Sequence, residues 1–124
     1  MRTLIAIFIS ILFLTACNSS KETNTPVFSD EFLSKAVIYE VNVRQYTQEG
    51  TFNAFAEDLP LLKKMGVKII WLMPINPIST KKSKGPLGSY YAVSDYTKVN
   101  PEFGTLGDFQ ALVKKAHALG MYVI

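Results

Sequence analysis

A single cysteine, a single histidine and a single tryptophan are spread over 124 residues. One cysteine forbids an intrachain disulfide, and one histidine with one cysteine cannot build a zinc site from paired Cys and His. No Walker-type phosphate loop and no Gly-x-Gly-x-x-Gly turn occurs, so nothing marks a nucleotide site. His117 has no nucleophile-elbow motif to support Ser-His-Asp chemistry and reads as a packing or surface residue. Excess charge is also lacking: 13 basic residues face 10 acidic ones, and removing residues 1–16 takes away only Arg2, leaving 12 against 10. That balance gives no reason to expect a nucleic-acid partner. The one basic cluster, Lys81-Lys82-Ser83-Lys84, reads as a solvated loop tip rather than a phosphate site. Internal repeats are absent.

Long apolar runs are missing as well. The longest, Leu4–Leu14, has eleven residues, which is too short for an ordinary membrane span. Arg2 precedes it and no acid appears before Glu22, the layout of a signal peptide. Its end, Leu14-Thr15-Ala16-Cys17, resembles the bacterial lipobox, in which cleavage precedes a cysteine that becomes lipidated. The alternative is an ordinary signal peptide that happens to contain a cysteine. Residues 1–16 are therefore expected to be a lipoprotein signal peptide and Cys17 the lipidation site. Acyl chains contribute about 0.8 kcal/mol per buried methylene, so several together hold a protein stably at a membrane. The expected location is the bacterial cell envelope, on its periplasmic or cell-surface side. Residues 17–27, rich in Ser, Thr, Asn, Lys and Glu, are expected to be a flexible tether.

The folded part is expected to begin near Phe28–Phe32 and to be α/β. Ala36–Val43 has Val or Ile at four of eight positions and predicts a first strand. Thr51 predicts a helix cap, and Phe52, Phe55, Leu59 and Leu62 share one helical face. Pro60 predicts a kink or a restart within that helix, because it has no amide donor. Lys63 and Lys64 suit a helix C-terminus, and Gly66 can close it. Val67–Leu72 is nearly continuously apolar, as in a strand buried on both faces. Residues 74–104 form a long connection whose Tyr90, Tyr91, Tyr96 and Phe103 argue for order. Thr105 and Asp108 predict a capping box. Phe109, Leu112, Val113, Ala116 and Leu119 continue one helical face, Gly120 closes it, and Met121–Ile124 opens a third strand.

This strand–helix rhythm predicts parallel strands joined by right-handed crossovers, and chemistry on the loops that follow the strands. Three such strands cannot close a barrel of eight, and their open edge would invite aggregation. The expectation is that residues 28–124 are the N-terminal fragment of a (β/α)8 barrel, with about three strands and two helices. Among the acids, Glu40 sits in the first strand, where alternation points it into the barrel. Paired with Arg44 or a distant cation it would be structural, the other reading being acid–base chemistry. Glu57, Asp58, Glu102 and Asp108 read as exposed or capping. Tyrosines at a barrel mouth offer flat apolar faces with a polar rim, which match the C–H patches and peripheral hydroxyls of sugars. Packing of the loop onto the barrel is the other role such rings could have.

From about Ala36 to Ile124 the chain resembles the α-amylase family, glycoside hydrolase family 13. Gly66–Pro74 resembles the family's second-strand motif. Tyr91-Ala92-Val93-Ser94-Asp95-Tyr96 resembles its Tyr-x-x-x-Asp-Tyr loop, and Asn100-Pro101-Glu102-Phe103-Gly104-Thr105 with Gly120–Ile124 matches the approach to its third strand. The resemblance implies that Tyr91 stacks on the sugar beside the scissile bond, that Asp95 fixes the loop, and that Asn76 lies near the cleft. Tyr90 stands where many relatives have Gly, and Ala92 where many exo-acting α-glucosidases have Asp. The second departure leaves endo-acting or transglycosylating enzymes more open.

The family retains anomeric configuration with two carboxylates roughly 5 Å apart. By this resemblance all its catalytic carboxylates, and the main ligand of a common calcium site, fall beyond Ile124. The implied parent is a lipid-anchored retaining α-glycosidase acting on starch-like or malto-oligosaccharide α-glucans, with no catalytic residue, cofactor or metal ligand in this chain and calcium admitted in the parent. The chain alone is then expected to be inactive. A non-catalytic glycan-binding accessory lipoprotein is the alternative. An unrelated barrel enzyme sharing only architecture is a third reading.

Overall fold

The computed structural model describes residues 28–124. The expected signal peptide, the tether and Cys17 lie outside the described residues. The chain enters through α1 (Asp30–Lys35). There the Ser29 hydroxyl accepts from the Phe32 amide at 3.1 Å, and Lys35 pairs with Glu31 one turn back at 2.9 Å.

Three strands follow in the order β1 (Val37–Val41), β2 (Val67–Leu72) and β3 (Tyr122–Val123), each parallel to its neighbour. Tyr39 lies beside Ile70, Val41 beside Leu72, and Ile70 beside Val123. This arrangement matches the N-terminal part of a TIM barrel. The first strand is shorter than the sequence pattern predicts. Its last ladder bond runs from the Met73 amide to the Val41 carbonyl at 2.9 Å, and the Gln45 amide then turns back onto the Asn42 carbonyl. Val43, predicted to be strand, opens the short helix α2 (Val43–Tyr46) and is buried there.

Between β1 and β2 the predicted helix is two. Thr51 caps α3 (Phe52–Glu57) by accepting from the Ala54 amide at 3.2 Å. The chain then passes Asp58 and restarts as α4 (Leu59–Lys64), with Pro60 in the first turn, where no amide donor is needed. The apolar face survives the break: Phe52, Phe55, Leu59 and Leu62 are all buried. Helix α5 (Leu106–Ala118) has both arms of its capping box. The Asp108 amide donates to the Thr105 hydroxyl, and the Thr105 amide donates to the Asp108 carboxylate. Gly66 and Gly120 close α4 and α5 at φ 89° and 69°, a left-handed conformation that a side chain would strain.

One core cluster joins Val41, Ile70 and Met121 of the sheet region to Phe52 and Phe55 of α3, Leu59 and Leu62 of α4, and Leu112 and Ala116 of α5. The two faces of β2 meet different surroundings: one packs on the helices, and the other is the interior face in a (β/α)8 barrel. Ile70 and Leu72 are buried, whereas Trp71 is 46% exposed beside Glu40, on a face that also carries the exposed Ile38. At the start of β3, Tyr122 meets Phe28 and Phe32 edge-on at 4.7 and 5.6 Å, which ties α1 to the sheet.

Candidate functional site

The connection from β2 to α5 is fastened at both ends and across its middle. The Asn100 amide donates to the Ile75 carbonyl at 2.6 Å, and the Phe52 amide of α3 donates to the Phe103 carbonyl at 2.9 Å. Inside the loop, Ile78 and Val93 form an antiparallel bridge. It is flanked by Ser79 N–H to the Ala92 carbonyl (2.7 Å) and Ser94 N–H to the Pro77 carbonyl (2.9 Å). This small ladder closes the base of a tip that carries the exposed Lys81, Lys82 and Lys84.

Asp95 works inside the loop. Its carboxylate accepts from the Thr97 amide (2.8 Å) and hydroxyl (2.6 Å) and pairs with Lys98 at 2.9 Å. The Thr97 hydrogen bonds, with Lys98, hold its pKa at about 2, so it is ionised at any working pH. Asn76 is brought to the same turn. Its amide nitrogen donates to the Lys98 carbonyl (2.9 Å) and the Tyr96 carbonyl (3.3 Å). It also lines a cavity of about 440 Å³ with Pro74, Phe109, His117 and Ile124. Asn76 thus braces the loop and borders open space.

The tyrosines are sorted by environment. Tyr90 lies half-buried under the Arg44 guanidinium, whose central carbon is 4.8 Å from the ring centroid. Tyr91, next in the chain, is 64% exposed, and only its backbone amide is bonded, to the Ser89 hydroxyl at 3.3 Å. Tyr96 is 79% exposed. Arg44 reaches this loop from the end of β1: its Nε donates to Glu102 at 3.1 Å, and the second guanidinium nitrogen pairs with the same oxygen. Burial alone would lower the Arg44 pKa, but the Glu102 hydrogen bond and its neighbours outweigh that and raise it.

Sequence reasoning gave Arg44 a different partner. Glu40 lies beside Trp71 on the sheet face opposite the helices, the face that lines the interior of a (β/α)8 barrel, as the alternation predicts; Arg44 pairs with Glu102, not Glu40, because α2 carries the arginine off the strand and toward the loop. One signal pointed to Arg44: it is the only arginine besides Arg2, among eleven lysines. A lone arginine in a lysine-rich chain marks a place where a planar fork is needed. Glu57 is exposed and pairs with Lys115, and Asp108 caps α5 while accepting from Asn53 at 2.8 Å. His117 is exposed and tilted beside Tyr122. Among the described residues, no three His, Cys, Asp or Glu side chains gather as a metal site, and no helix is long and apolar enough to cross a membrane.

Residues 16–124 match the family profile described as Alpha amylase, catalytic domain. The chain belongs to the α-amylase family. Alpha-amylase 3 of Dictyoglomus thermophilum is 31% identical over 128 residues, covering 99% of this chain and 23% of that protein. Alpha-amylase SusG of Bacteroides thetaiotaomicron is 30% identical over 135 residues, covering 90% of this chain and 18% of that protein. The crystal structure of an alpha-amylase from Lactobacillus plantarum superposes with a TM-score of 0.72 at 50% identity, over 73% of this chain and 22% of that one. The chain therefore spans less than a quarter of the length of these α-amylase relatives. Within the family frame, the fastened connection is the loop after the second barrel strand, on the face where TIM barrels carry their chemistry.

Proposed function

We propose that this chain is the N-terminal part of the catalytic barrel of a retaining α-glycosidase acting on α-glucans such as starch or malto-oligosaccharides. The family match across residues 16–124 carries the reading. The α-amylase relatives support the substrate class. The exposed Tyr91 ring supplies a physical reason: a flat apolar face on a loop held by its own ladder can stack on a pyranose without first being ordered. Asn76 borders the substrate cleft, and Asp95 holds the turn that both it and Tyr96 touch.

Retaining hydrolysis needs a nucleophile and an acid/base carboxylate about 5–5.5 Å apart. The described carboxylates with clear partners are spent on structure: Glu57 on Lys115, Asp95 on Thr97 and Lys98, Glu102 on Arg44, and Asp108 on the helix cap. On the family resemblance we place the reacting pair outside residues 1–124, so this chain binds and orients sugar without performing the bond cleavage. Any calcium would likewise be held by residues outside the described set, and no step here runs through it. Residues 1–16 act as a lipoprotein signal peptide, and Cys17 carries the lipid that holds the enzyme in the bacterial cell envelope.

A non-catalytic glycan-binding lipoprotein is the second reading, because the exposed Tyr91 ring would serve sugar binding without chemistry equally well. The two part in one assay on the protein that carries this chain. An enzyme releases reducing sugar from malto-oligosaccharide, with product appearing first as the α-anomer by proton NMR. Saturable binding with no release would replace the enzyme by the accessory protein.

A further inference from the structure

We propose that Arg44 is a positioning residue for Tyr91, acting through Tyr90 and Glu102. The inference rests on the sugar-stacking role of Tyr91 given under Proposed function.

Tyr91 has no side-chain hydrogen bond of its own among the described residues, yet a stacking ring needs a fixed plane. Its direct neighbour Tyr90 has that fixity. The Arg44 guanidinium lies over the Tyr90 ring at 4.8 Å and over the buried Phe103 ring at 5.8 Å. The same guanidinium grips Glu102, which belongs to the turn leading into α5. Arg44 is therefore a clamp between three parts of the molecule: the end of β1, the tip side of the loop at Tyr90, and the loop's return at Glu102 and Phe103. The Arg44 side chain keeps 17% of its surface exposed and Glu102 59%, so the guanidinium is sheltered between the rings while its carboxylate partner faces solvent. The opposite side of the loop is fastened by the Ile78–Val93 bridge and the Ser79–Ala92 bond, immediately after Tyr91. Tyr91 thus stands between two fastened points, Tyr90 and Ala92. Removing the first leaves the ring free to swing about the second.

Lysine cannot reproduce the clamp. A point ammonium can pair with Glu102 or sit over Tyr90, but lacks the plane and the fork that let one group do both.

The test is a double-mutant cycle in the enzyme that carries this chain, read by kcat/KM on malto-oligosaccharide and by KM, which does not depend on how much protein is folded. Arg44→Ala is expected to raise KM about tenfold, and Arg44→Lys to recover only part of that. In a Tyr91→Ala background, Arg44→Ala should add less than about twofold, because the ring it positions is gone. Should Arg44→Ala fail to fold, Tyr90→Leu and Tyr90→Phe carry the same question. Leucine removes the stacking face and should copy the KM rise, whereas phenylalanine keeps the face and should stay near wild type. The inference is overturned if the Arg44 and Tyr91 losses multiply in full, if Arg44→Ala leaves KM unchanged while Tyr91→Ala raises it, or if Tyr90→Leu behaves like Tyr90→Phe. If Tyr91→Ala alone leaves kcat/KM intact, the stacking role itself falls, and the positioning claim with it.

Discussion

Replacing Tyr91 by alanine should separate function from folding. Tyr91 is 64% exposed, so about a third of its surface is in contact with the protein. A tyrosine offers roughly 150–250 Å² for burial, and a third of that at about 25 cal/mol per Å² gives an upper limit near 2 kcal/mol, less what the alanine Cβ retains. In a protein of the length of the α-amylase relatives, several times this chain, a loss of that size moves Tm by about 2–4 °C at most. A stacking ring at a sugar subsite should act as a binding hot spot, and losing more than about 1.4 kcal/mol there is a tenfold or larger fall in kcat/KM. Tyr90 supplies the control. It is half-buried under Arg44, so Tyr90→Ala gives up a cation–π contact of about 0.5–2 kcal/mol in addition to its packing, and should lower Tm more than Tyr91→Ala does. Thermal melts and initial rates on malto-oligosaccharide, taken on the same preparations, read both effects. The reasoning is refuted if Tyr91→Ala melts as early as Tyr90→Ala while its folded fraction turns over at the wild-type rate.

Three further outcomes follow from packing and charge. Thr105→Ala removes the cap of α5 and should cost about 1 kcal/mol, seen as a lower denaturation midpoint with unchanged m-value. Phe55→Ala empties a fully buried position packed edge-on against Tyr46 at 4.7 Å and should cost about 3–5 kcal/mol, measured by the same denaturation. Asp95 and Asp108 are each held at about 2, against an ordinary 3.8, by hydrogen bonds from Thr97 and Thr105 respectively. Between these values the unfolded chain binds protons that the folded chain refuses. Their stabilisation is therefore complete above about pH 4 and is lost as pH falls toward 2. Thr105→Val should shift the Asp108 titration upward by NMR, and an unmoved titration would remove that hydrogen bond as the cause.

Features written within a few residues of one another were readable before the structure was. Thr51 and Thr105 announced their helices because a cap needs only a hydroxyl three residues ahead of an amide. Gly66 and Gly120 marked the exits, and the apolar spacing of Phe52, Phe55, Leu59 and Leu62 marked the face that meets the sheet. Pro60 announces a disturbance but does not say whether the helix bends or restarts; the structure restarts it after Asp58, with no side-chain cap there. What stayed hidden was non-local. Arg44 and Glu102 are 58 residues apart, and nothing in either segment names the other. The Ile78–Val93 bridge joins stretches with no strand-like alternation, because a single bridge needs none. The two faces of β2 read alike in sequence, and only the register assigns Ile70 to the helices and Trp71 to the opposite face beside Glu40. In the candidate site, the tyrosines were legible as a group, but only the fold separates Tyr90 under its guanidinium from Tyr91 in the open.

The most direct test of the central claim is a crystal structure of the enzyme that carries this chain, soaked with a slowly cleaved malto-oligosaccharide. A glucose ring is expected stacked flat on Tyr91, its C–H face within about 4.5 Å of the phenol ring. Sugar bound elsewhere, with Tyr91 facing bulk solvent, would contradict it.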